Sequence, residues 1–349
     1  MLIERMEVIP YALPFREPYV TARGRLERRE LILLRVSDVD GVLGLGETTA
    51  LSLRGGRSLK EIAAELEGVA ALCASANGVP TGELSRELSS PEARCALAIA
   101  AMDLSLRRAG EPPAPAPVPC NATLSAGAAG EVAESARRWR EIGFRSFKLK
   151  VGPDDDLSPV AAAREALGSD AAIRVDANGT WDPATARRAL ARLDELDVEL
   201  CEQPVATLEE MVEVGRGART PLAADESVRE PSDSRRASAL GACEMATLKL
   251  AKVGGPEVVE RGEWGIPVYI SSALDGPVGI AAAGRVAAAL RADPNGIDAG
   301  IAHGLATQLL FSETIAARGP EVRDGMLHVP EEPGIGVVID DDALARLAL

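Results

Sequence analysis

The chain has 349 residues, 46% apolar and 26% charged, a balance that fits a globular enzyme and excludes a fibrous or disordered chain. Its length exceeds what one small core holds, so a large domain with a smaller companion is expected. A net charge of −15 argues against a nucleic-acid surface, and five scattered cysteines without CxxC spacing argue against a disulfide framework or a zinc site.

The opening "MLIERMEVIPYALPF" lacks the basic-then-apolar order of a secretory leader. No apolar run reaches the roughly 18 residues of a membrane span, so a cytoplasmic protein without membrane contact is expected. Residues 1–50 read as strands: "MEVIPYALPF", "RRELILLRVSD" and, after the turn signal "DVDG", "VLGLGE". Between the first two, "TARGRLERRE" (21–30) reads as a mobile loop whose arginines suit an anionic substrate. Two helical patterns follow, "RSLKEIAAELEGVAALC" and "SPEARCALAIAAMDLSLRRAG", the second capped by Ser90 and ended by Gly110. The proline-rich "EPPAPAPVP" (111–119) is the clearest linker, because proline offers no backbone donor to a helix or central strand. An α+β capping domain is expected over 1–112, completed by about 320–349, with a barrel over 118–318.

After the linker, short apolar strands alternate with Ala/Arg/Glu-rich helices. The strands read "VPCNATL", "RSFKLKV", "AAIRVDA", "VELCEQP", "TPLAADE", "EMATLKLA", "PVYISSA" and "GIDAGIA". Eight strands with connecting helices close most naturally into an α/β barrel of the TIM type. One connection, "PEVVERGEWG", is too short for a full barrel helix.

Barrel active sites lie at the C-terminal strand ends. Three successive ends carry a carboxylate: Asp176 in "VDAN", Glu202 in "CEQP" and Asp225 in "AADES". Three converging carboxylates repel one another unless a cation sits between them, and all-oxygen ligation favours Mg²⁺ before Mn²⁺. Asn178 and Glu226 are expected to orient these ligands or to pair with Lys249. In "FKLKV" the period of two puts Lys148 and Lys150 on one inward face, where ammonium groups need partners. In "LKLAKVGG" the odd spacing puts Lys249 and Lys252 on opposite faces, so Lys249 is expected inside and Lys252 on a solvated rim. Ser271 or Ser272 in "SSALDG" is expected to meet a distal substrate carboxylate, and Gly254 and Gly255 to let backbone N–H groups approach an anion. Only His303 and His328 exist, which leaves proton transfer to lysine and carboxylates.

The set "KLK" (148–150), "RVDAN" (174–178), "EQP" (202–204), "AADES" (223–227) and "LKLAKVGG" (248–255) resembles the enolase superfamily, muconate-lactonizing-enzyme subgroup, over essentially the whole chain. The resemblance implies a modified TIM barrel, (β/α)7β, with an α+β capping domain. It also implies Mg²⁺ on Asp176, Glu202 and Asp225, Lys150 and Lys249 as the acid/base pair, and Lys148 beside the base. A small-molecule carboxylate substrate and a homo-oligomer are implied too. Removing a proton α to a carboxylate creates an enediolate, which a divalent ion on that carboxylate stabilises in enolase-type sites. Positive neighbours depress a lysine pKa, so Lys148 is expected to make Lys150 a usable base; Lys249 is either the second acid/base or a fixed cation.

The subgroup's reactions are cycloisomerisation, N-acylamino acid racemisation, dipeptide epimerisation and dehydration to o-succinylbenzoate. Dipeptide epimerases typically carry Asp-x-Asp on strand eight, whereas here Asp298 is followed by Ala and Gly. "SSALDGPVGIAA", "AHGLAT" and "PLAADESV" are similar to segments of o-succinylbenzoate synthases, which serve menaquinone synthesis. Both lysines are present, so dehydration and racemisation stay open. From another class, a Schiff-base aldolase would use Lys150 or Lys249 as nucleophile.

Overall fold

The first strands are long and antiparallel: β1 (Leu2–Thr21) pairs with β2 (Gly24–Asp38), and β2 with β3 (Leu43–Thr49). This computed structural model describes residues 1–21, 24–51, 56–76, 78–110, 116–294 and 296–349. Period two divides the sheet's apolar residues between two cores. Ile32, Leu34 and Val36 pack with α1 (Leu59–Ser75), while Leu31 and Leu33 join the large core that continues into the barrel. Ser58 and Glu61 form a reciprocal cap at the start of α1. Strand β4 (Val79–Pro80) pairs with the far edge of β1, and α2 (Thr81–Glu87) leads to α3 (Pro91–Ala109). As the sequence indicates, Ser90 caps α3 and Gly110 ends it in the left-handed region, φ 67°. Helix α3 lies so close on β3 that a Cβ at Gly46 would overlap the Ala96 carbonyl oxygen, which explains the glycines of "GLGE".

The segment 21–30 is not a loop: from Gly24 onward it belongs to β2, with Leu26 opposite Tyr19 and Arg28 opposite Pro14. Its charges alternate into exposed pairs, Arg25–Glu27 and Arg28–Glu30, as a strand edge requires. Residues 22 and 23 lie outside the described residues, as do 111–115 of the linker. The linker's end is a strand, β5 (Val118–Pro119).

The barrel sheet has seven parallel strands. They are β6 (Asn121–Leu124), β7 (Ser146–Lys150), β8 (Ala172–Asp176), β9 (Leu200–Glu202), β10 (Leu222–Ala224), β11 (Met245–Leu248) and β12 (Val268–Ile270). Between them run α4 (Ala129–Glu141), α5 (Ser158–Leu167), α6 (Pro183–Glu195), α7 (Leu208–Gly215) and α8 (Pro231–Leu240), each returning the chain for the next parallel strand. After β11 come α9 (Leu250–Val253) and the short α10 (Pro256–Arg261), where the sequence lacks a full helix; α11 (Pro277–Ala292) follows β12.

The eighth strand, expected at "GIDAGIA", forms isolated bridges instead: Asp298 with Val268, His303 with Cys120, and Gly304 with Ser271. Gly300, at φ 73°, breaks the extended run. The bridges still close the ring, with Gly304 N donating to Ile270 O at 2.8 Å and Asn121 N to His303 O at 2.9 Å. His303 sits in this seam, its Nδ1 accepting from Ile270 N at 3.0 Å. Burial, then the Arg291 and Arg174 charges, push its pKa down to about 3, so its ring is neutral and structural.

The last residues form β13 (Ala316–Arg318), β14 (Glu321–Arg323), β15 (Met326–His328), β16 (Val338–Ile339) and α12 (Asp341–Leu347). β15 pairs with β5, and Leu349 N donates to Pro10 O at 3.0 Å, so the tail packs back onto β1. No helix among the described residues is long and apolar enough to cross a membrane.

Candidate active site

Parallel register places the charged side chains side by side: Lys150 pairs with Asp176, Asp176 with Glu202, and Glu202 with Ala223, two residues before Asp225. Sheet order then sets lysines at both ends of the carboxylate arc, Lys148 and Lys150 on β7 and Lys249 just past β11. The three carboxylates are fully buried. Lys148 Nζ bridges Asp176 Oδ2 at 2.8 Å and Glu202 Oε2 at 2.6 Å. Lys150 Nζ donates to Asp176 Oδ2 and, at 3.1 Å, to Asn178 Oδ1; Lys249 pairs with Asp225. Asn178 Nδ2 donates to Glu226 Oε1 at 3.1 Å, and the Asn178 backbone N–H to Asp176 Oδ1 at 2.9 Å.

Lys252 is not on the rim. It is buried, and its ammonium donates to Asp225 Oδ1 at 2.9 Å, Asp225 O at 2.6 Å and Thr247 O at 2.8 Å. The chain leaves extended geometry after Leu248 and turns into α9, so a spacing of three returns to the same side instead of the opposite one. Two residues beside the carboxylates hold left-handed backbone without being glycine, Asn178 at φ 50° and Gln203 at φ 39°. Gln203 Oε1 accepts from Asp225 N at 2.9 Å and so fixes the end of β10.

Burial works against the Lys148 ammonium, but the Asp176 and Glu202 charges outweigh it and hold its pKa well above the usual lysine value. Burial, with the Asp176 charge next, raises Glu202; Lys148 offsets this in part. Burial and the Glu202 charge likewise push the Tyr269 phenol up, which keeps it a donor, and its Oη donates to Glu202 Oε2 at 2.7 Å.

A cavity opens above the arc. Its barrel wall includes Lys148, Lys150, Asn178, Lys249, Ser271, Ser272 and Thr307; Tyr19, Arg29, Ala50 and Leu51 close it from the cap side. Arg29 Nη2 donates to Ala50 O at 2.8 Å and Ala273 O at 2.9 Å, tying the end of β3 to the loop after β12. Gly254 and Gly255 lie elsewhere: a Cβ on Gly255 would come within 2.7 Å of Ala98 Cβ. Gly255 thus lets α3 approach the barrel, Gly254 ends α9 in the left-handed region at φ 99°, and neither lines the cavity.

As the side chains stand, no three carboxylate, thiolate or imidazole groups among the described residues surround one point, since lysines bridge the carboxylates. The donor chemistry nonetheless fits a hard divalent ion. Three buried carboxylates follow one another at the ends of consecutive strands, the Asp176 and Asp225 charges both bear on Glu202, and Glu202 Oε1 is buried without a hydrogen-bond partner among the described residues. The expectations from sequence did not single out Tyr269, Tyr19, Thr307 or the inward Lys252. Tyr269 had a legible signal: it shares its parity in "PVYISSA" with Ser271 and so faces inward.

A barrel with three carboxylates set between lysines at its strand ends defines an enzyme of the enolase type. Residues 131–343 match the family described as Enolase C-terminal domain-like, and the chain belongs to the enolase superfamily. It is 31% identical to Muconate cycloisomerase 1 of Pseudomonas putida, covering 100% of this chain and 99% of that one. Over 50% of this chain and 58% of the relative it is 40% identical to o-succinylbenzoate synthase of Thermobifida fusca. The muconate lactonizing enzyme of Pseudomonas fluorescens, solved with muconolactone, superposes with a TM-score of 0.90 at 29% identity, covering 99% of each chain. Such relatives are isomerases and lyases, and this chain is an enzyme of that kind.

Proposed function

We propose that the chain removes a proton α to the carboxylate of a small-molecule acid, and that its reaction is the dehydration of a cyclohexadiene carboxylate to o-succinylbenzoate, in menaquinone synthesis. The observation that carries the proton-transfer reading is the placing of Lys150 and Lys249 at the two ends of one carboxylate arc, both lining one cavity. Lys150 as neutral amine takes the α-proton, and the resulting ammonium returns it to the departing hydroxyl on the same face, releasing water. Lys249, from the opposite end, supplies a fixed positive charge beside the developing enediolate. Asp176, Glu202 and Asp225 would hold Mg²⁺, the ion enolase superfamily enzymes bind, or Mn²⁺. When bound, it supplies charge stabilisation at the substrate carboxylate.

Two observations support dehydration. The stronger local identity is to an o-succinylbenzoate synthase. The eighth barrel segment, where it meets the cavity, presents the neutral Gly304–Thr307, and Asp298 bridges Val268 at the other end of β12. No carboxylate of that segment therefore stands ready for a dipeptide ammonium. The full-length match to a muconate cycloisomerase favours cycloisomerisation as the second reading. The test offers the purified protein with Mg²⁺ the cyclohexadiene precursor, muconate, N-succinylamino acids and dipeptides in D₂O, read by absorbance and NMR. o-Succinylbenzoate should form, stop in chelator and resume with Mg²⁺. Turnover of muconate or of an N-succinylamino acid alone would refute dehydration, and turnover indifferent to chelator would refute the metal site.

A further inference from the structure

We infer that Tyr269 is a positioning residue for Glu202, holding that carboxylate so that its second oxygen faces the metal position. The inference rests on the proposed role of Glu202 as metal ligand. β12 and β9 are not neighbours in the sheet, so the 2.7 Å bond from Tyr269 Oη to Glu202 Oε2 crosses the barrel interior. Lys148 Nζ binds the same oxygen at 2.6 Å. With Oε2 held from two sides, the carboxylate cannot turn freely, and Oε1 is the atom left buried without a partner among the described residues. That division suits a ligand presenting one oxygen to an ion and the other to the protein.

The phenol is fixed in its turn. Its ring, fully buried, packs with Leu200 and Ala223 inside the barrel, Leu200 lying two residues before Glu202 on β9. The Arg174 guanidinium lies 5.3 Å from the ring centroid. Arg174 is fully buried as well, donating to Ala302 O at 2.6 Å and pairing with Glu199. The hydroxyl thus stands on a supported platform and reaches one layer up to the ligand. A tyrosine needed only to fill the barrel has no reason to aim its hydroxyl at this carboxylate, since phenylalanine fills nearly the same volume.

Tyr269→Phe keeps the ring and removes the donor, so packing is retained. Mn²⁺ binding, read from the paramagnetic resonance of the free ion, should weaken by about tenfold, the lower end for loss of a partner that orients a metal ligand. In a Glu202→Gln background the same change should have little further effect, because the tyrosine acts through Glu202. A filler role predicts a lowered melting temperature with unchanged Mn²⁺ affinity, and that result would overturn the inference while leaving the metal site standing. Equal weakening in both backgrounds would overturn it as well, since the tyrosine would then act elsewhere. If the unaltered protein fails to bind Mn²⁺, the metal reading itself falls and this inference with it.

Discussion

Lys252→Met tests whether the loop after β11 carries a structural cation. The ammonium has three donors, and the structure gives each a fixed acceptor: Asp225 Oδ1, Asp225 O and Thr247 O, at 2.9, 2.6 and 2.8 Å. Methionine keeps most of the stem's volume but strips one charge partner from a fully buried aspartate and leaves two backbone carbonyls without that donor. Removing one partner of a buried ion pair typically costs about 3–5 kcal/mol. Asp225 keeps Lys249, so the loss should fall near the lower end, about 3 kcal/mol. Urea unfolding followed by fluorescence and circular dichroism measures it, and coincident transitions by the two probes license a single free energy. Mg²⁺, by supplying Asp225 with a second positive partner, should narrow the gap between variant and parent. A loss below about 0.5 kcal/mol, the scale of an ordinary surface change, would mean that Lys252 is the solvated rim lysine its spacing suggested.

Two further outcomes are expected. Lys150→Ala should abolish turnover while leaving Mg²⁺ affinity, read by calorimetry, nearly intact; retained activity removes Lys150 as the base. Glu47 lies buried on β3, accepting from Tyr11 Oη at 2.8 Å and from the Val278 and Gly279 backbone N–H groups at the start of α11. Burial, then the Asp275 charge, raises its pKa from 4.5 to about 8 against those hydrogen bonds. A carboxyl with a raised folded pKa binds more protons folded than unfolded. Its stabilising effect is therefore full below about pH 4.5 and is lost as pH rises toward about 8. Glu47→Gln should flatten that part of the melting-temperature profile; parallel profiles for parent and variant would show that Glu47 does not titrate there.

What the sequence made legible is what one strand's period controls. The inward face of β7, the carboxylates ending β8 and β9, and the caps of α3 depend on residues a few places apart, and all stand where pattern reading puts them. The misplaced features depend on where a strand stops or on a distant partner. Lys252 turned inward because β11 ends at Leu248, a boundary the apolar pattern does not mark. The segment after Gly24 became strand because β1 extends far enough to pair with it. Gly255 is a glycine for the sake of Ala98 on α3, more than 140 residues earlier, a contact no local spacing encodes.

The charges of the site also bear on the kind of acid it takes. Lys148, Lys150, Lys249 and Lys252 are buried around Asp176, Glu202 and Asp225, so four cationic side chains face three anionic ones. With Lys150 neutral, as the proposed base must be, the remaining six charges balance, and a divalent ion among the carboxylates would leave two positive charges in excess. A buried excess of this size is costly unless a ligand offsets it. A substrate with two carboxylates brings two negative charges, whereas a zwitterionic dipeptide with a neutral side chain brings no net charge. Arg29 adds a further cation at the cavity wall, and the buried Asp275 carboxylate close to it offsets that charge. On the proposed metal-bound reading, a dianionic acid would offset this excess and a zwitterion would not. The cyclohexadiene precursor of o-succinylbenzoate and muconate both meet that requirement, and their relative rates in the substrate screen decide between the two readings.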